Sequence, residues 1–156
     1  FSGREPNAVL KRVNRLVLAD TRSDLFVTMF YAILDTRTGE THYANAGHNP
    51  PILRRRSGAV ERLDRGGPVL GVLPEAAYDL GSALLDRGDR LILFTDGVVE
   101  ASDGTGEFGD DRLLGLVDAH GTESAGEIVA RIVDAVRSFA PQPGADDRTV
   151  VVLAVD

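Results

Sequence analysis

The sequence predicts one α+β domain over residues 1–156, built mainly from antiparallel sheets. Three observations carry this. The pattern runs helix, many short strands, helices, strand, with no β-α-β alternation. Glycine-bearing turns such as TRTG (36–39) and the Ser57–Gly58 and Arg87–Gly88 pairs separate the strands. The length of 156 residues, 43% hydrophobic and 26% charged, suits one sizeable core.

Residues 6–19, PNAVLKRVNRLVLA, carry Val9, Val13, Leu16 and Val17 at helical spacing with Leu10 beside them, and Pro6 suits the first helical position. FVTMFYAILD (26–35) is apolar on both alternating faces and reads as a central strand covered on both sides. ETHYANA (40–46) returns as its hairpin partner. PILRR and AVERL form a second hairpin around Ser57 and Gly58, and GGPVLGVL (66–73) reads as irregular. Residues 78–84 and 89–95 are two more strands. The period then changes. DDRLLGLVDA (110–119) begins acidic and turns apolar, as a helix start does. In residues 123–138, Ile128, Ile132, Val133 and Val136 form the clearest helical stripe, closed by Pro141 and Pro143. RTVVVLAV (148–155) reads as a final buried strand.

Composition removes several chemistries. The net charge of -7 argues against a nucleic-acid surface. The Arg54–Arg55–Arg56 run can grip a phosphate, but in a turn it reads first as a solvated tip. Lys11 is the only lysine, so there is no P-loop lysine. The absence of cysteine excludes disulfides, thiolate metal sites and thiol nucleophiles, and it fits a reducing cytoplasm. No apolar run approaches membrane-spanning length. GTGEFG (104–109) matches GxGxxG, but it does not directly follow a strand, and Glu107, Asp110 and Asp111 would repel a pyrophosphate. His42, His48 and His120 show no paired metal-ligand spacing, and there is no GxSxG elbow. His48 lies in the rigid turn NAGHNPP.

Two acidic stretches remain. Asp96 follows the apolar run 91–94, with Gly97 next, and Asp146 and Asp147 precede the last strand. If these two strands are antiparallel neighbours, the carboxylates gather at one rim of the sheet. Clustered carboxylates repel one another unless protons or a cation intervene, and a hard hydrated cation, Mg²⁺ or Mn²⁺, is the natural partner. Such an ion polarises a phosphoryl oxygen and acidifies bound water without Cys, Ser or His. Two independent polar turns are the plainer alternative.

The stretches FVTMFYAILD, YANAGHNPP, GPVLGV, GDRLILFTDGVVEA, EFGDDRLL and DDRTVVVL, in this order, resemble the SpoIIE/RsbU-type serine/threonine phosphatases, the bacterial branch of the PP2C-like (PPM) fold. The resemblance implies an α-β-β-α sandwich and a dinuclear Mn²⁺ or Mg²⁺ centre in a cleft at one end of the sheets. It implies that metal-activated water attacks a phosphoserine or phosphothreonine directly. Asp96 and Asp146 match family metal ligands. Asp147 takes a supporting position in cofactor binding, and Gly97 allows close backbone approach. The turn around His48 and the glycine at Gly71 belong to the neighbourhood of the cleft.

The family's first motif, an Asp-Gly pair whose aspartate bridges the metals, is not found, and only FSGRE precedes Pro6. The expectation is an N-terminally incomplete domain, either part of a longer protein or a true fragment. A true fragment would bind metal weakly, turn over little, and expose sheet edges that favour a homodimer, swapping or aggregation. The resemblance implies a phosphorylated STAS-type anti-anti-sigma protein as substrate and an upstream PAS, GAF or receiver module, with no nucleic acid and no membrane. The competing readings are a catalytically inactive PP2C-like interaction module in sigma-factor regulation and a hydrolase for small phosphoesters.

Overall fold

A computed structural model describes residues 5–20, 25–141 and 147–156. The chain divides into two compact units, Phe1–Pro50 with Leu63–Leu85, and Pro51–Arg62 with Asp86–Asp156.

The first unit places one helix, α1 (Pro6–Asp20), on a sheet whose centre is β2 (Glu40–Ala46). On one side β2 pairs antiparallel with β1 (Met29–Leu34), in register from Met29↔Ala46 to Leu34↔Thr41. Its other side is shared by β5 (Gly66–Gly67), which is parallel, and β6 (Gly81–Leu84), which is antiparallel. The predicted hairpin is therefore present, but its first strand is not central. Among the described residues β1 pairs only with β2, and its side chains are half-covered. Phe26, the first residue of that apolar run, is 62% exposed, and Leu25 just before it is 61% exposed. The helix also turns a different face inward. Its fully buried positions are Leu10 and Asn14, flanked by Val13 and Val17, whereas Leu16 is exposed. Spacing of 10, 13, 14 and 17 is as helical as the apolar set; an asparagine in the middle hides it from a hydrophobicity reading. Leu10 packs with Ala44, Ala46, Leu70, Ala76 and Tyr78.

The second unit is a sheet in the order β4 (Val60–Arg62), β3 (Ile52–Arg54), β7 (Arg90–Phe94), β8 (Val150–Ala154), antiparallel throughout. Although β6 and β7 follow each other around Arg87 and Gly88, they join different sheets. Strand β8 is half-covered, with Val151 exposed, because among the described residues it pairs only with β7. The predicted helices are α3 (Gly109–His120) and α4 (Ala125–Phe139). Ser124 and Glu127 form a capping box that starts α4. Ile128, Ile132 and Val136 of α4 meet Ile52, Ile92, Phe94, Val98, Leu113 and Val117 in one core. A four-residue helix, α2 (Asp96–Val99), is too short for periodicity to reveal.

GTGEFG is a tightly bonded loop that runs into α3 at Gly109. Asp103 Oδ1 accepts hydrogen bonds from the backbone N–H groups of Thr105 and Gly106 and from the Thr105 hydroxyl, and these bonds hold its carboxyl below the usual range. The arginine run is not a solvated tip throughout. Arg54 is buried in β3, Arg55 is paired, and only Arg56 is exposed.

Candidate active site

Strand β7 ends at Phe94 opposite Val150, the first residue of β8. The antiparallel register therefore brings the Thr95–Asp96–Gly97 turn alongside the residues entering β8. Thr95 joins the two. Its N–H donates to the Thr149 carbonyl (3.1 Å), its Oγ1 donates to the Asp147 carbonyl (3.0 Å), and its Oγ1 accepts from the Thr149 N–H (2.9 Å). Asp96 and Asp147 thus lie at one rim of the sheet, both exposed. Asp146 lies outside the described residues.

Asp96 opens α2, where the unpaired N–H groups of a first turn favour a carboxylate. Its Oδ1 accepts from the Gly97 N–H (2.9 Å), which fixes one carboxylate oxygen. Gly97 is buried, and it is not among the positive-φ glycines.

The donors at this rim are exposed carboxylate oxygens, the chemistry that suits a hard divalent cation. Among the described residues no group of three or more His, Cys, Asp or Glu side chains is clustered to hold a metal.

The first unit holds the other motif residues. His48 sits in a turn closed by Asn45, whose Oδ1 accepts from the His48 N–H (2.7 Å) and whose Nδ2 donates to the His48 carbonyl (2.9 Å). Thr28 Oγ1 lies 3.2 Å from His48 Nδ1. Buried Asn14 plays the same part for the GPVLGV loop, accepting from the Gly71 N–H and donating to the Leu73 carbonyl, each at 2.8 Å. Gly71 has φ +91°, and a Cβ there would meet Val17 Cγ1 at 2.7 Å, so both backbone and space require glycine.

The family model for stage II sporulation protein E (SpoIIE) matches residues 1–156. The chain belongs to the SpoIIE family. It is 33% identical over 153 residues to the phosphoserine phosphatase RsbU of Bacillus subtilis, covering 97% of this chain and 46% of RsbU. The SiaA-PP2C domain of Pseudomonas aeruginosa superposes with a TM-score of 0.84 at 20% identity, over 98% of this chain and 62% of that one. The manganese-presoaked SpoIIE phosphatase domain of B. subtilis superposes with a TM-score of 0.74 at 23% identity, over 99% of this chain and 67% of that one. The SpoIIE-family chain thus has the α+β fold of PP2C phosphatase domains, with mostly antiparallel sheets, and spans about half the length of RsbU.

The family motifs contain the acids, but the residues that hold the motif turns in place are not apparent from the sequence. Thr95, Asn45 and Asn14 each bond backbone across a turn or a long sequence separation. One signal was available: Asn14 interrupts an apolar stripe at its centre, and a buried amide there needs partners.

Proposed function

We propose that this SpoIIE-family chain is the greater part of a metal-dependent serine/threonine protein phosphatase domain. The observation that carries the reading is the β7–β8 pairing, which sets Asp96 beside the approach to β8 through Thr95. Kinship with a phosphoserine phosphatase supports the reaction class. In this reading Asp96 and Asp146 hold a Mn²⁺ or Mg²⁺ centre, with Asp147 in a supporting position beside them. The Gly97 N–H orients the Asp96 carboxylate by binding Oδ1. When bound, the cation supplies Lewis acidity toward a phosphoryl oxygen and a water acidic enough to act near neutral pH. Thr95 keeps the Asp147 segment in register with Asp96. The substrate is a phosphoserine or phosphothreonine on a regulatory protein, a phosphorylated anti-anti-sigma factor of STAS type in particular, with a sensory module of the same protein controlling access.

The test is a Mn²⁺ titration of phosphate release from a phosphoserine protein, using the full-length protein and its Asp96→Asn variant. Release should saturate with Mn²⁺ in the wild type and fall at least about a hundredfold in the variant, as expected when a charge-stabilising group is removed. Equal release from both would remove Asp96 from the mechanism. Metal-independent inactivity of the wild type, with retained binding of the phosphoprotein, would make the domain an interaction module.

A further inference from the structure

The end of β7 remote from Asp96 carries a second feature. Arg54 and Arg90 are direct cross-strand partners on β3 and β7, and each is only 7% exposed. Like charges placed directly opposite in a sheet repel, so burying this pair needs a reason. Arg90 donates to the Asp89 and Glu123 carbonyls, and its nearest carboxylate is that of Asp156 at 3.5 Å, 83% exposed. Arg54 packs its guanidinium against Gly121, where any Cβ would collide with it, and its buried Nε has no hydrogen-bond partner.

Beside this pair opens a cavity of about 410 Å³, lined by Arg56, Arg87, Arg90, Thr122 and Asp156 with Gly88 and Val155. Among the described residues no carboxylate pairs with Arg54, Arg56 or Arg87. Asp89 is committed elsewhere, to Arg55 and to the Arg56 and Asp86 N–H groups. Three arginines, Arg56, Arg87 and Arg90, thus line the cavity, and of these, among the described residues, only Arg90 has a carboxylate, the exposed Asp156.

We infer that this cavity binds a small polyphosphate anion. Planar guanidinium forks match phosphate oxygens, and a multiply charged ligand answers the two unpaired guanidiniums, Arg56 and Arg87, together with Arg90. The volume exceeds what one orthophosphate fills and lies within the range of small-ligand sites. The cavity is separate from the Asp96 rim. Four residue steps along β7 from Arg90 to Phe94 span about 13 Å. The inference is independent of the phosphatase reading.

The experiment is calorimetric titration of the metal-free protein, in EDTA, with pyrophosphate and in parallel with ATP. Saturable pyrophosphate binding is expected, weakened about ten- to a hundredfold by the exposed-rim double variant Arg56→Ala/Arg87→Ala and unchanged by Asp96→Asn. ATP binding more tightly than pyrophosphate would identify a nucleotide as the source of the phosphates, and equal affinity would identify the polyphosphate group itself. Absence of saturable binding, or binding that survives in the double variant with its circular dichroism intact, would overturn the inference.

Discussion

Asp89 is the residue whose loss the structure prices most directly. Its side chain is 3% exposed, and it accepts from Arg55 Nη1 at 2.8 Å, from the Arg56 N–H at 2.9 Å and from the Asp86 N–H at 3.1 Å. Replacing it with alanine strips a buried ion pair of its acid and two turn N–H groups of their acceptor. Breaking a buried pair costs about 3 to 5 kcal/mol. The low end applies here, because Arg55 keeps Glu61 at 2.7 Å and water can reach the exposed turn residues Arg56 and Asp86. Asp89→Ala should therefore destabilise by about 3 kcal/mol, or about 6 to 12 °C in Tm for a chain of this size. Asp89→Asn keeps one acceptor oxygen and should lose about half as much. Burial pushes the Asp89 carboxyl up, but the Arg56 and Asp86 N–H groups and the Arg55 guanidinium pull it down and prevail. The folded pKa thus lies below the unfolded one. The stabilisation is fully present above the unfolded value, about pH 4, and is lost as pH falls through the folded value. Urea unfolding followed by circular dichroism from pH 7 downward measures both effects. The gap between wild type and Asp89→Asn should narrow as pH falls below about 4. An Asp89→Ala cost under about 1 kcal/mol, or a gap that stays constant into acid, would refute the account of a buried, charge-assisted clamp.

Three further outcomes follow from the same geometry. Thr95→Val removes both Oγ1 hydrogen bonds at the rim. It should cost about 1 kcal/mol of stability and lower Mn²⁺ affinity about fivefold, with Thr95→Ser restoring both; unchanged affinity would show that the Asp147 segment does not position the ion. Asn14→Leu leaves the Gly71 N–H and Leu73 carbonyl without their partner, so urea unfolding should register a loss of about 2 to 4 kcal/mol, and the Gly71 amide should exchange faster. Ser124→Ala breaks the capping box of α4 and should cost about 1 kcal/mol, with amide protection lost first at Glu127.

The sequence by itself determined the long helices, the two hairpins and the α+β class, because each rests on periodicity and turn chemistry that are local to a few residues. It also contained the acids. Asp96 after an apolar strand and Asp147 before another are visible as residue order alone, and the β7–β8 register then brings them together as antiparallel neighbours must. Tertiary structure alone decided the rest. The apolar run 26–35 reads as a central strand, yet β1 is paired on one side only, because which strand lies at an edge depends on pairings made by residues far along the chain. Asn14 reads as a polar interruption, yet it is a core residue, because its hydrogen-bond partners are 57 and 59 positions away. The Arg54–Arg56 run reads as a solvated turn, yet Arg54 is buried opposite Arg90, because only the β3–β7 register brings those two residues face to face. Composition and period report what a residue prefers; its burial and its partners are set by the segments that fold against it.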